Sequence, residues 1–482
     1  MHTAPDLRPN QALPMLVVLF AAAFVATYNE NIMNMALVSL MADLSVDAVT
    51  SQWLVSGYMV VSTLMVVTTS FLFQRFHLRP LFFAATAILA AASVVGALAP
   101  TFSLLLAFRL LQAVGAGMLI PLMMNSILLV APRQKLGTFM AIGSCMITFG
   151  PALAPVLSGL LVTLCGWRFV FVPVAVVSLV VLLAGIPLVR NANPTQAISI
   201  DPLSVALAAV GLFAFVYGVS ILSTQLVVAL ITIAVGVAGI AAFVARQFAM
   251  KRAGREPLLD MAPMKSGRFF PACLLVMIAM MCMFSMSVLL PLYFESALGL
   301  TSLVSGCLLL VPVLLNAGVA LVAGRIEDAS GEWPLLPIGF ALALAGMVLN
   351  ALFGATLALP AVFVASILVF CGAGAVMSPS QTAGLKTLPR ELNPSGVSLL
   401  NVFVQVAACV APSLFIGLMS GTQAGLIAGG ADVAAAAGAG FSQATAVAAV
   451  VAGVGVLIAL AYAWMMRGLR RKHGHASEPN GR

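Results

Sequence analysis

Fourteen apolar stretches, each long enough to cross a hydrocarbon layer of about 30 Å, follow one another along this 482-residue chain. They lie near 14–40, 50–73, 80–99, 102–131, 136–163, 168–189, 202–221, 225–246, 269–294, 302–325, 334–354, 358–384, 395–420 and 441–467. In lipid such segments satisfy their own backbone polar groups only as helices or closed barrels, and stretches this long fit helices. The expected fold class is therefore an all-α polytopic membrane protein. Composition agrees, with 62% hydrophobic and 7% charged residues, against roughly 25% charged in soluble domains.

The basic residues test that count, because positive charge gathers on cytoplasmic loops. With the N-terminus inside, the inner segments hold Arg8, Arg75 with Arg79, Arg133 with Lys135, Arg190, the Arg246 to Arg268 cluster, Arg325, Lys386 with Arg390, and the tail Arg467 to Arg482. Every Lys and Arg except Arg109 and Arg168 falls there. Both termini are expected in the cytoplasm. The net charge of +8 is then a topological signal with at most a weak pull toward anionic lipid, and it does not suggest nucleic acid. The first span lacks a small-residue cleavage site and is expected to stay. Seven cysteines, scattered without Cys-x-x-Cys or Cys/His spacing, indicate neither a metal site nor a disulfide framework.

Two halves with an insert between them emerge from the spacing. Residues 1–192 read as an N-terminal six-helix bundle, 193–268 as two inserted helices and a cytoplasmic linker, 269–467 as a C-terminal six-helix bundle and 468–482 as a basic tail. The insert is almost free of polar residues mid-helix and reads as passive. Traces of a repeat support the halves. Gly115-Ala116-Gly117 precedes Pro121 in the fourth span, and Gly372-Ala373-Gly374 precedes Pro379 in its counterpart. The loops after the second span of each half, 70–79 and 324–333, are both short and charged. Two similar bundles around a midplane site suit alternating access.

Arg109 sits in the unbroken run Phe102 to Val130, about where a span crosses mid-bilayer. A guanidinium there costs roughly 2.5–3.5 kcal/mol on insertion scales and stays protonated, so it must face a polar interior or a counter-charge. Among fourteen Asp and Glu only Glu30 lies well inside a span, whereas Glu295 sits near an outer helix end. On a helix Thr27, Glu30 and Asn34 form one polar stripe. Burial raises a carboxyl pKa and a nearby guanidinium lowers it, so Glu30 suits proton exchange as its surroundings change. The alternatives are a permanently neutral or paired glutamate and an arginine fixed on backbone carbonyls.

Several segments read as motifs: Tyr28-Asn29-Glu30 with Asn34-Met35-Ala36-Leu37, Gln52-Trp53 with Tyr58, Arg109 with Gln112 and Gly115, Gly150-Pro151 through Pro155 to Gly159, Trp167-Arg168-Phe169, and Leu290-Pro291-Leu292-Tyr293. Together they resemble the major facilitator superfamily, specifically its fourteen-helix drug:H+ antiporters of the lincomycin-resistance type, across nearly the whole chain. Ala113, Ala154 and Ser158 replace glycines of the motifs. The family's cytoplasmic Gly-x-x-x-Asp-Arg-x-Gly loop survives in the first half only as Arg75 and Arg79, a degenerate form that the lincomycin-resistance type shares. In the later half Gly324, Asp328 and Gly331 occupy the equivalent loop. The resemblance implies a proton-coupling role for Arg109 beside Glu30. It also implies an antiporter motif at Gly150, Pro151, Pro155 and Gly159, whose prolines and small residues suit a hinge and a seal.

The expected function is proton-coupled efflux of amphipathic or hydrophobic drug-like compounds from the bacterial cytoplasmic (inner) membrane. Asn34, Gln112, Asn316, Gln381, Asn401 and Gln405 are the expected polar anchors of the substrate cavity. No cofactor is expected, because the proton gradient drives the cycle. Substrate, protons and lipid are the expected partners, with a periplasmic adaptor and outer-membrane channel left open. The alternative is a proton-coupled symporter, or an exporter of one endogenous metabolite, on the same fold. An ATP-driven pump lacks its Gly-x-x-x-x-Gly-Lys-[Ser/Thr] loop, and no nucleophile or metal constellation in the spans points to an enzyme. The Ala/Gly-rich stretch Gly425 to Gly440 reads as a flexible outer loop.

Overall fold

A computed structural model describes residues 9–131, 136–191, 201–222, 225–255, 257–330, 335–389 and 392–474. Its helices are α1 (Pro9–Asn31), α2 (Leu37–Leu44), α3 (Ala48–Ser51), α4 (Trp53–Arg75), α5 (Leu78–Ala97), α6 (Phe102–Val130), α7 (Leu136–Cys165) and α8 (Phe171–Leu188). They continue with α9 (Pro202–Ser220), α10 (Leu226–Arg252), α11 (Phe269–Ser296), α12 (Ser302–Ser330), α13 (Leu335–Phe353), α14 (Leu359–Lys386), α15 (Asn393–Ala428) and α16 (Val433–Gly474). Thirteen helical segments among the described residues are long and apolar enough to cross a membrane. The 30-residue α7 is a further long helix, apolar over Phe149–Cys165.

Two expectations need correction. The first span does not run helically to residue 40: α1 ends at Asn31, and Ile32–Met35 form a 3-10 turn before α2. The stretch 425–440 is mostly helix, since α15 reaches Ala428 and α16 starts at Val433, leaving a turn with Gly430 at φ +87°. Alanine is the strongest helix former, and the glycine at 440 lets α16 approach α15, where a Cβ would come within 2.5 Å of the Met419 carbonyl oxygen.

Helix contacts fall into two sets. On one side α6 packs on α1, α4 and α5, with α7 and α8 on α1; on the other α14 packs on α11, α12 and α13, and α16 packs on α11, α13 and α15. The repeated glycines do the same work in both. A Cβ on Gly115 would stand 2.5 Å from the Ala85 carbonyl oxygen of α5, and one on Gly117 2.8 Å from that of Ser62 in α4. A Cβ on Gly372 would stand 2.5 Å from the Gly339 carbonyl oxygen of α13, and one on Gly374 2.6 Å from that of Asn316 in α12. Small residues at these points let helix backbones touch where lipid gives no hydrophobic drive to pack.

The insert bridges the two sets. Trp53 of α4 stacks on Phe213 of α9 with centroids 6.3 Å apart, and the far end of α9 meets α15, where a Cβ on Gly417 would come within 2.7 Å of the Ser220 carbonyl oxygen. At its other end Asp201 caps α9 and pairs with Arg246 of α10 at 2.6 Å, which holds the Asp201 carboxyl well below its usual range. Gln247 donates to Ser204 Oγ at 2.9 Å and accepts from the Leu259 amide at 3.3 Å, fastening the linker. Asp201, Ser204, Arg246 and Gln247 thus gather in one clamp at this end of the insert.

The face where α1 ends is called distal here, and the face where it begins proximal. Side-chain contacts between the two sets gather toward the distal face: Ser413 Oγ donates to Ser56 Oγ at 2.7 Å, and the Leu303 amide to Thr163 Oγ1 at 3.1 Å. Nearby, Asp43 accepts from Trp167 Nε1 at 2.9 Å and pairs with Arg168 at 2.5 Å. Those two donors hold the Asp43 carboxyl below its usual range. The stability this adds is present at neutral pH and is lost as pH falls through that lowered value.

Candidate functional site

The C-terminus of α1 builds the site. The last carbonyls of a helix lack helical partners and carry partial negative charge, and α1 stops just where Arg109 of α6 crosses it. Arg109 is 1% exposed. Its Nη2 donates to the backbone oxygens of Asn29 at 2.8 Å and Glu30 at 3.3 Å. Nη1 donates to Asn29 Oδ1 and Gln112 Oε1, each at 3.0 Å, and Nε to the Leu54 carbonyl at 3.1 Å. All five N–H donors of the guanidinium are thus met, and every acceptor is neutral. The Tyr58 ring lies beneath, 4.0 Å from the guanidinium carbon to its centroid, a cation–π contact. Asn29 Nδ2 donates to Tyr58 Oη at 3.2 Å, and Gln112 Nε2 to Ser93 Oγ at 2.8 Å, so the acceptors are themselves held.

Glu30 is half-buried in the last turn of α1. Its carboxylate is not within 4.0 Å of Arg109, so the two form no ion pair. It does lie within electrostatic range of Arg109, Tyr58 and Cys409, the last on α15 of the opposite set. The expected depth changes: Arg109 stands seven residues into α6, roughly 10 Å from its start at 1.5 Å per residue. The site therefore lies toward the distal face and not at mid-span. The expected stripe of Thr27, Glu30 and Asn34 is also broken, because the 3-10 turn rotates Asn34 off the register of α1. Thr27 Oγ1 bonds back to the Ala23 and Phe24 carbonyls, and Asn34 Oδ1 is buried without a partner.

The structure joins Arg109 with Gln112 and leaves the later-half residues apart from them. Asn316 Nδ2 donates to the Phe370 carbonyl at 2.7 Å, tying α12 to α14, while Gln381 and Gln405 are half-buried and Asn401 is exposed. A cavity of about 280 Å³ lies between the two sets on the proximal side. Its walls include Thr63 and Val67 of α4, Leu212 of α9, Phe243 of α10, and Val402 and Phe403 of α15, and none of the six expected polar anchors lines it. The sequence reading did not select Asn29, Tyr58 or Ser93. Asn29 and Tyr58 fell inside segments quoted for resemblance, yet only the crossing of α1, α4 and α6 shows that their polar atoms meet Arg109.

The glycines of α7 face both sets. A Cβ on Gly150 would overlap Thr27 Oγ1 and come within 2.6 Å of the Tyr28 amide nitrogen, so α7 touches α1 just before Glu30. Gly159 faces the Ser302 carbonyl, and Gly306 of α12 faces that of Pro155, both closer than a Cβ permits. The helix runs unbroken through Pro151 and Pro155. We expect Gly150→Ala to lower the protein's activity to background at matched membrane levels, since overpacking costs about 1–3 kcal/mol at the contact that positions α1. Transport at the parental rate would show that α1 and α7 need not approach so closely.

The loop residues are peripheral to this site. Arg79 Nη2 donates to the Ile186 carbonyl at 3.0 Å at the end of α8, and its amide to Asn191 Oδ1 at 3.1 Å. Arg75 stands over the Phe76 ring at 5.8 Å, and a Cβ on Gly324 would meet open space. Asp328 lies on the last turns of α12, with its side chain outside the described residues, as is Gly331.

The family model of the Major Facilitator Superfamily matches residues 19–412. The chain belongs to this superfamily. Among curated proteins it is similar to the lincomycin resistance protein LmrB of Bacillus subtilis, 32% identical over 433 residues that cover 87% of this chain and 88% of that one. LmrB of Listeria monocytogenes is also 32% identical, over 85% of this chain and 87% of its own. A multidrug resistance protein B homolog of Mycobacterium tuberculosis is 29% identical over 65% of this chain and 58% of its own. Among solved structures, a bacterial homolog of the human lysosomal transporter Spinster, in an inward-facing and unoccupied conformation, superposes with TM-score 0.69 at 14% identity, over 94% of this chain and 97% of that one. This is a multi-pass membrane transporter with the superfamily's fold.

Proposed function

We propose that this transporter exports amphipathic or hydrophobic drug-like molecules in exchange for protons, by alternating access, from the bacterial cytoplasmic membrane with both termini inside. The observation that carries the reading is a buried guanidinium satisfied wholly by neutral acceptors, beside a glutamate with which it is not paired. Such an arginine keeps its partners while Glu30 is neutral. When Glu30 gives up its proton, the Nη2 group that now bonds the Glu30 carbonyl has a charged acceptor on the same residue to turn to, and α1 shifts with it. That proton goes to the cytoplasm as the drug binds, the drug is carried outward, and a proton taken up from the outer side restores the neutral arrangement. The 1–192 and 269–467 bundles would rock about the α7–α12 and α4–α15 contacts, with the insert spanning their seam.

The likeness to lincomycin and multidrug resistance proteins favours export, and the apolar walls of the proximal cavity favour a hydrophobic cargo. The cycle would need no cofactor beyond the proton gradient. Energised everted vesicles carrying the protein should accumulate a hydrophobic fluorescent dye, stop when a proton uncoupler is added, and release protons when the dye is supplied. Dye uptake that ignores the uncoupler would sink the proton coupling. Dye and protons moving in the same direction would favour symport instead.

A further inference from the structure

Glu295, in the last turn of α11, touches the distal seal between the two sets of helices. Its Oε2 accepts from Ser302 Oγ at 2.9 Å, whereas its Oε1 is shielded and has no partner. Ser302 opens α12, and its carbonyl is the atom that sits in the space left by Gly159 of α7. One hydrogen bond thus separates this carboxyl from the point where the sets meet. The turn 32–35 packs on α7, α11 and α12 at the same seal. There Asn34 Oδ1 and, on α12, Ser305 Oγ are likewise buried without partners.

Among the described residues no positive charge around Glu295 is left for it, since Arg168 is paired with Asp43. The neighbouring α2 brings Asp43, already held by Trp167 and Arg168. The turn 32–35, the first turns of α12, α14 and α16 and the last turn of α15 carry no charged residue, and Asp432 between α15 and α16 is exposed. Lys265, beside the start of α11, lies at the opposite end of that helix. The free amides at the start of α12 do not serve the carboxylate either: Leu303 N donates to Thr163 Oγ1 and Val304 N to Thr301 Oγ1 at 3.4 Å.

We propose that Glu295 is a second proton-binding carboxyl, which takes a proton from the distal solution as the α7–α12 seal closes and returns it to water when the seal opens. An ionised carboxylate with one oxygen shut away from water and from donors is costly. The neutral acid keeps the Ser302 bond and places an O–H on the stranded oxygen. Opening hydrates the group and removes the penalty. The step is a protonation only: the O–H bond forms with a proton from bulk water on closure and breaks to bulk water on opening. Linkage then makes closure more favourable as the distal side is acidified, by up to about tenfold per pH unit for one proton. The inference rests on alternating access as read above, and not on the role of Glu30.

Spin labels at Leu164→Cys and Val304→Cys, exposed positions on α7 and α12 flanking the seal, report its opening in a background without other cysteines. Every sample carries Glu30→Gln, so that Glu30 cannot contribute to the titration. The full-length protein in lipid nanodiscs, measured by pulsed EPR between about pH 5 and 9, should show an open fraction that rises with pH, by up to about tenfold per unit. Adding Glu295→Gln should leave the seal closed across the range, while Glu295→Asp should keep a pH-dependent opening. The same pH dependence with Glu295→Gln, a seal that this variant holds open at every pH, or a parent that never opens with pH would each overturn the proposal. Normal transport by Glu30→Gln would refute the earlier role of Glu30 and leave this result intact.

Discussion

Glu30→Gln is expected to fold and insert like the parent and to lose proton-driven efflux, with uncoupler-sensitive dye export falling to the level of empty vesicles. The structural reason for intact folding is specific. The five guanidinium N–H groups of Arg109 are met without the Glu30 carboxylate, since the Glu30 contribution comes from its backbone oxygen. An amide of the same shape keeps that oxygen, the end of α1 and the approach of Gly150, and strands no buried charge. Only the titratable group is lost. Dye binding to the purified variant should therefore stay within about threefold of the parent, a difference below 1 kcal/mol. Drug-driven proton release at the parental level from that variant would remove Glu30 from the coupling.

Arg109→Ala should be the more disruptive change, lowering both transport and the amount of folded protein. It leaves Asn29 Oδ1, Gln112 Oε1 and three backbone oxygens without their donor, and each buried unsatisfied group costs about 1–3 kcal/mol. It also empties the space over the Tyr58 ring. Arg109→Lys restores the charge but offers three donors in place of a planar fork with five, and it cannot reach α1, α4 and Gln112 together. Lys should keep the protein folded with transport reduced by roughly tenfold or more, about 1.4 kcal/mol per factor of ten, and Ala should give none. Comparable transport by the Ala, Lys and parent proteins at equal membrane levels would show that the network is not needed for the cycle.

Much of the architecture was legible because membrane solvation acts locally. A run such as Phe102 to Val130 must be helical in lipid whatever its neighbours do, and α6 spans those residues. The repeated Gly-x-Gly pairs were legible as pattern, and their equivalent roles against α5 with α4 and α13 with α12 follow from backbone approach that only a missing Cβ permits. The end of the first span was not legible. Nothing in Asn31-Ile32-Met33-Asn34 breaks a helix by propensity strongly enough to predict a 3-10 turn, and the turn forms where α7, α11 and α12 pack against it. Hydropathy likewise could not tell helix from loop at 425–440, because alanine and glycine score alike in a tight helix contact and in a flexible segment.

For the site, the sequence by itself determined that one arginine and one glutamate are placed inside apolar spans and so require polar company, since the cost of burying a charge is a property of the residue and the solvent. It could not determine whose company. The partners of Arg109 lie 55 and 80 residues away at Leu54 and Asn29, and they include backbone oxygens, which every sequence position possesses and which become acceptors only where a helix ends beside a donor. That coincidence of the α1 terminus with the α6 guanidinium is a matter of crossing geometry. The same holds for the bridge that α9 makes from Trp53 to Gly417: an insert with few polar residues reads as passive until packing shows which surfaces it joins.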